Sequence, residues 1–313
     1  MELTILNARI PQWLEGDAYI VRVGGSSPST GTKIINMRIR KQGNYKSFFT
    51  DSYKTIRLTN GIPVTPELED VAINNKCLAN CSYCYTSALK TGENFDNVVI
   101  KAETVWGSLK LNDRPFQIAI GGAGEPTMHP DFIPFVKKVR DLEIIPNYTT
   151  NGMHITDELL EATEIYCGGV ALSWHPHIEK VFHAAANKLS TIDTKLNFHV
   201  ILGTEQSLLD LKSLYYKYED IVDYFVILPY QAVGRGKAIE TEKIWLETFY
   251  WISAVNSKKF AFGALFYNFL KSHDIPLEMS IYNPEIYSGY RMMDNNYKTL
   301  YKSSYDVTEK NTI

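Results

Sequence analysis

Apolar and polar residues alternate in two different ways along this chain. Over residues 1–65, short β-like runs are broken by turn residues. AYIVRV (18–23) runs into GGSSPSTG, a loop by composition, and KTIRLT (54–59) stops at NGIP. KIINMRIR (33–40) sets Ile35, Met37 and Ile39 on one face and Ile34, Asn36, Arg38 and Arg40 on the other. These patterns predict a small β-rich N-terminal element. From about Glu67, short apolar strands alternate with amphipathic helices. The predicted strands are 70–75, 116–121, 144–150, 169–174, 196–203 and 224–230. The predicted helices are 99–111, 131–142, 156–166, 177–189 and 205–218, and Thr156 and Asp157 have the oxygens that cap a first turn. Such alternation is the signature of a parallel α/β sheet or barrel, here of six β/α units. After Arg235 it stops. Residues 240–256 and 258–272 predict helices, with Trp245, Phe249, Trp251 and Ile252 spaced for one buried face. Residues 279–293 read as a hairpin-like segment split at Asn283-Pro284, and the last fifteen residues as a polar, loosely held end. The expected organisation is an element over 1–65, an α/β core over 66–240 and a C-terminal helical extension over 241–313.

Composition adds little to this picture. With 313 residues, 45 % apolar and 21 % charged, the chain is ordinary globular material. No apolar run approaches the roughly 18 residues that span a bilayer, and the N-terminus has no signal-peptide pattern. A cytoplasmic protein without a membrane partner is expected. The net charge of −3 is uneven. Residues 1–63 hold nine Lys and Arg against four acids, a balance of +5, so the remainder carries −8. A basic appendage suits an anionic partner such as nucleic acid or an acidic peptide, or is a solvated basic face.

Chemistry enters at KCLANCSYCYT (76–86). It places Cys77, Cys81 and Cys84 in a C-x3-C-x2-C pattern directly after the first core strand, where loops of a parallel barrel gather their functional residues. Structural zinc sites take four ligands, and no further Cys or His lies within forty residues downstream. Three thiolates suit a [4Fe–4S] cluster with one iron left open. The second strand runs into IGGAGEPTMHPDF (120–132), where glycines permit close backbone approach beside the Glu125 carboxylate. A cationic amine fits that corner.

The triplet with Tyr83 before its third cysteine, the Ala123-Gly124-Glu125-Pro126 turn and TTNG (149–152) together resemble the radical S-adenosylmethionine (SAM) superfamily. The resemblance covers roughly residues 66–240. It implies a partial (β/α)6 radical SAM barrel, flanked by the β-rich element and the helical extension. It implies one [4Fe–4S] cluster on Cys77, Cys81 and Cys84, with SAM chelating the open iron, and oxygen-sensitive chemistry. Reductive cleavage of SAM would yield a 5′-deoxyadenosyl radical that abstracts hydrogen from a substrate. A reductant such as flavodoxin or ferredoxin would supply the electron. Gly124, Glu125 and Pro126 match the family's GGEP motif, which holds the methionyl amino group, with Ala123 in place of its first glycine. Tyr83, Thr150, Asn151 and Ser173 are candidate cofactor contacts. Ile201 and Gly203 fit an Ile-x-Gly-x-x-Glu adenine pattern in which Glu205 falls one residue early. Gly234-Arg235-Gly236 resembles a loop that closes over the adenine and could suit an anion. Cys167 is a candidate hydrogen-atom donor, and His175 and His177 are candidate acid–base groups. The likeness is to the peptide-modifying branch, but no cysteine follows Cys167 to bind auxiliary clusters. The expected substrate is a peptide, or a nucleotide or nucleic-acid base; a non-catalytic Fe–S or zinc scaffold is the alternative.

Overall fold

The alternation in the middle of the chain folds as a parallel sheet whose strands bury every second residue against helices. In the computed structural model the described residues are 4–5, 21–22, 37–42, 45–50, 55–57, 63–273, 275, 288–301 and 304. Two compact units divide the chain, one built on residues 1–65 with 110–114 and one on 66–109 with 115–312.

In the first unit, β1 (Thr4–Ile5) pairs with β2 (Val21–Arg22), and β3 (Met37–Gln42), β4 (Tyr45–Thr50) and β5 (Thr55–Arg57) form an antiparallel sheet. The arginine face of β3 is turned inward. Arg40 is fully buried and donates to the carbonyls of Thr65 (2.7 Å) and Arg114, and Arg38 donates to those of Arg114 (2.7 Å) and Leu111. Gln42 continues the row, donating to Asp113 Oδ1 (2.9 Å) and accepting from Val64 N–H (2.7 Å). These two arginines satisfy backbone carbonyls, so they are not the solvated basic face that the charge balance allowed.

The second unit carries the six expected strands: β6 (Leu68–Ala72), β7 (Gln117–Ile120), β8 (Ile145–Thr150), β9 (Gly169–Ser173), β10 (Lys195–Leu202) and β11 (Tyr224–Pro229). Two more join them. β12 (Phe260–Phe262) pairs parallel to β11, and β13 (Ser288–Met292) pairs parallel to β6 at the opposite edge. The eight-stranded order is therefore β12-β11-β10-β9-β8-β7-β6-β13. This corrects the helix expected over 258–272, which is instead β12 followed by α7 (Ala264–Ser272). The hairpin-like segment expected over 279–293 falls mostly outside the described residues. The Asn283-Pro284 split lies outside the described residues, and 288–292 pairs with the first core strand.

The crossover helices are α1 (Val98–Ala102, widening into a π turn over Glu103–Gly107), α2 (Phe132–Asp141), α3 (Asp157–Tyr166), α4 (Glu179–Leu189), α5 (Glu205–Tyr218) and α6 (Glu242–Val255). The Thr156 hydroxyl caps α3 by accepting from Leu159 N–H (3.2 Å). On each strand one set of residues packs under these helices: Ile118 and Ile120, Tyr148, Val170 and Leu172, Phe198 and Val200, Phe225 and Ile227. The other set, Asp70, Ala119, Thr149, Ser173, His199, Ile201 and Leu228, lines a cavity of about 390 Å³ on the concave side.

Candidate active site

The cysteine loop leaves β6 and lies over the mouth of this cavity, tied to the glycine turn after β7. Asn74, almost fully buried, donates to the Glu125 carbonyl (2.8 Å), and Glu125 N–H donates to the Lys76 carbonyl (2.8 Å). This seam explains Gly124. A Cβ there would stand 2.5 Å from Asn74 Oδ1 and 2.6 Å from the Lys76 carbonyl oxygen, so only glycine lets the two segments meet. Ala123, the departure from the family motif, keeps its carbonyl available to the Thr86 hydroxyl (2.8 Å).

Cys77, Cys81 and Cys84 all line the cavity, and each has a polar neighbour. Asn151 Nδ2 donates to Cys77 Sγ (3.5 Å), His175 Nδ1 lies 3.7 Å from Cys81 Sγ, and the Thr86 hydroxyl lies 3.3 Å from Cys84 Sγ. Burial, with the other two thiols nearby, pushes the Cys81 thiol up to about 12, and burial also raises that of Cys77. Three thiols gathered on one loop beside a cavity fit a cationic centre that takes them as thiolates. Among the described residues no three Cys, His, Asp or Glu side chains converge on one point as a single ion requires. Three cysteine donors, one short of the four that a structural zinc takes, suit an iron–sulfur cluster with one iron left open.

Glu125 is a bracing group. Its Oε1 accepts from Thr127 N–H (3.4 Å), the Thr127 hydroxyl (2.7 Å) and the Thr150 hydroxyl (2.8 Å), and its Oε2 accepts from Asn151 N–H (2.7 Å). Burial raises its pKa, and these four donors oppose that rise. Through Asn151 the brace reaches Cys77, so β7, β8 and the cysteine loop form one hydrogen-bonded corner. Pro126 starts the short 3-10 turn below it.

The loop after β11 closes the site from the other side. Arg235 N–H donates to the Cys84 carbonyl (2.9 Å), Nε to the Cys81 carbonyl (2.9 Å) and Nη1 to the Ala88 carbonyl (2.7 Å). Gly234, at φ +60°, allows this approach; a Cβ would stand 2.2 Å from the Tyr85 carbonyl oxygen. The anion expected at this loop is replaced by carbonyls of the cysteine loop itself.

The structure brings Tyr83, Gly124, Glu125, Thr150, Asn151, Ser173, His175 and Ile201 to the cavity lining. It does not bring Gly203, which packs under Tyr230, or Cys167, which caps the end of α3 within the core and whose thiol burial pushes up to about 12. His175 sits between Cys81 and the Tyr83 hydroxyl (3.0 Å from Nδ1), and burial lowers its pKa to about 4. It is thus neutral near pH 7, a hydrogen-bonding neighbour of the thiols. His177 is spent on the Ala79 carbonyl (2.8 Å). Sequence reasoning missed Asn74, Thr86, Asp70 and His199. The first two sit close to the motif; the last two are visible only once the inward face is known.

Residues 71–173 match the Radical SAM superfamily model. The match covers about a third of the chain, from the first core strand to the end of the fourth. Its fold is similar to Streptococcus suis SuiB bound to S-adenosylmethionine, at TM-score 0.57 and 16 % identity, over 74 % of this chain and 59 % of that one. SuiB bound to precursor peptide SuiA gives 0.58 and 14 %, over 78 % and 61 %. Native anSMEcpe with bound AdoMet gives 0.54 and 16 %, over 77 % and 75 %. The chain thus spans about three fifths of SuiB, and at these identities the likeness is one of fold. No curated protein matches the chain in sequence.

Proposed function

We propose that this chain is a radical SAM enzyme that holds one [4Fe–4S] cluster on Cys77, Cys81 and Cys84 and binds SAM beside it. The observation that carries this reading is the single hydrogen-bonded corner joining the three-cysteine loop to Gly124, Glu125 and Asn151 over one cavity. When bound and reduced, the cluster would cleave SAM to methionine and a 5′-deoxyadenosyl radical, which takes a hydrogen atom from the substrate. The chain's own residues position and enclose. Asn151 and Thr86 place hydrogen bonds on or beside cysteine sulfurs, which tune a cluster's potential. The glycine turn, braced by the Glu125 carboxylate, would present backbone carbonyls to an ammonium group. Ser173 and Ile201 line the wall that a nucleoside would occupy, with Ala119 and Leu228 as its other apolar members. An electron donor such as a flavodoxin or ferredoxin completes the cycle.

A peptide substrate is favoured over a nucleic acid. The SuiB and anSMEcpe folds are both known with peptides bound, and Arg38 and Arg40 of the basic N-terminal element are spent on backbone carbonyls. Anaerobic reconstitution tests the cofactor reading. Wild type is expected to hold about four iron and four sulfide per chain, with a cluster EPR signal that shifts on adding SAM. Cys81→Ala should lose both. Zinc uptake without a SAM response would favour the non-catalytic scaffold.

A further inference from the structure

Two neighbouring acids on β6 are treated differently by the fold. Glu69 faces outward and is buried, and Arg291 of β13 meets it with two hydrogen bonds, Nε–Oε2 at 2.7 Å and Nη2–Oε1 at 3.3 Å. Asp70 faces the cavity. Among the described residues no hydrogen bond or ion pair reaches its carboxylate, and no Lys or Arg lines the cavity. The cavity's other carboxylate, Glu125, already has four donors. Burial raises the Asp70 pKa to about 6, which leaves it mostly ionised near pH 7. A carboxylate held this way is costly until a donor or cation arrives.

Its surroundings suit a cation. The register places Tyr290 beside Asp70, and Tyr290 is almost fully buried. The Tyr290 ring and the Tyr85 hydroxyl close on Gly122, whose carbonyl accepts from Tyr85 (3.2 Å). A carboxylate beside one tyrosine ring, with a second tyrosine, Tyr85, in the same cavity lining, is suited to hold an ammonium or guanidinium group. The site is also set back from the cofactor corner. Asp70 pairs with Ala119, two residues before Gly121, so it opens into the cavity deeper than the glycine turn and cysteine loop.

We propose that Asp70 anchors a cationic nitrogen group of the substrate against the Tyr85–Tyr290 wall, which makes amine- or guanidine-bearing molecules the substrate class. The inference rests on the radical SAM reading only in giving this group to the substrate and not to the cofactor.

Calorimetric titration tests it. The probes are N-acetyl-lysine amide, its uncharged isostere N-acetyl-norleucine amide, and n-pentylamine as an amine without peptide groups. Each is added to cluster-loaded protein saturated with SAM, so that the ammonium of SAM is already in place, and to protein lacking both. Wild type is expected to bind the lysine amide at least tenfold more tightly than the norleucine amide. Asp70→Asn, near-isosteric, should abolish the difference, and Asp70→Glu, which keeps the charge, should retain part of it. Pentylamine binding as tightly as the lysine amide assigns the site to small amines; weaker binding assigns it to a peptide side chain. Equal binding of lysine and norleucine amides, or a preference that survives Asp70→Asn, overturns the proposal. Lysine selectivity in a protein that takes up no iron overturns the radical SAM reading and leaves the Asp70 site standing. Iron uptake without lysine selectivity does the reverse.

Discussion

Removing the Arg235 guanidinium should loosen the cysteine loop from the far side of the barrel. Arg235 lies more than a hundred residues beyond the thiols, yet its Nε and Nη1 hold the carbonyls of Cys81 and Ala88 at 2.9 and 2.7 Å. Hydrogen bonds to a charged group are worth about 1.5–3 kcal/mol each when enclosed. Arg235 is half-buried, and solvent screens part of that, so about 2 kcal/mol for the pair is a fair value. That is roughly a thirtyfold shift in the balance between a closed and an open loop. The assay is the rate at which reconstituted protein loses iron to a ferrous chelator under anaerobic conditions. Arg235→Ala should release iron roughly thirtyfold faster. Arg235→Lys keeps the charge but cannot reach two carbonyls in one plane, and should fall between. An unchanged release rate in Arg235→Ala, with folding intact by circular dichroism, refutes the clamp.

Three further outcomes follow from the geometry. Gly124→Ala should abolish SAM binding, measured by equilibrium dialysis, because a Cβ would stand 2.5 Å from Asn74 Oδ1 and part the cysteine loop from the Glu125 turn. Glu125→Gln turns an amide NH2 toward hydroxyl and backbone donors and should cost about 2 kcal/mol, read as a fall in thermal midpoint. Asp70→Asn should alter how stability depends on pH. The folded pKa of about 6 stands above the ordinary 3.8, so in wild type the stability gained by holding this proton is full below about 3.8 and lost as pH rises through 6. The variant should therefore gain up to about 2 kcal/mol over wild type at pH 7 and nothing near pH 3.5, by denaturant melts at each pH.

Much of this architecture is legible in the residues because parallel strands under helices carry a strong periodic signal. The strand from Lys195 to Leu202 and the helix from Glu205 to Tyr218 stand where alternation and amphipathicity put them. The edges are less legible. Phe260–Phe262 is three residues of sheet inside an aromatic stretch that also has helical spacing, and only pairing with β11 makes it a strand. Ser288–Met292 joins the sheet beside its first core strand, more than two hundred residues away in sequence, which local pattern cannot show. On β3 the arginine face is the enclosed one, because carbonyls at Thr65, Leu111 and Arg114 wait for it. The cysteine triplet and the Gly124-Glu125 turn announce themselves by residue type and spacing. Asp70 and His199 do not, since alternation separates two faces of a strand without saying which one encloses a cavity.

The central claim is that this corner cleaves SAM. The direct measurement is 5′-deoxyadenosine by mass spectrometry, from anaerobically reconstituted, dithionite-reduced protein given SAM, with Cys81→Ala beside it. Wild type is expected to form the nucleoside and the variant to form none. Equal amounts from both, or a wild type that carries its cluster yet neither binds nor cleaves SAM, would contradict the account.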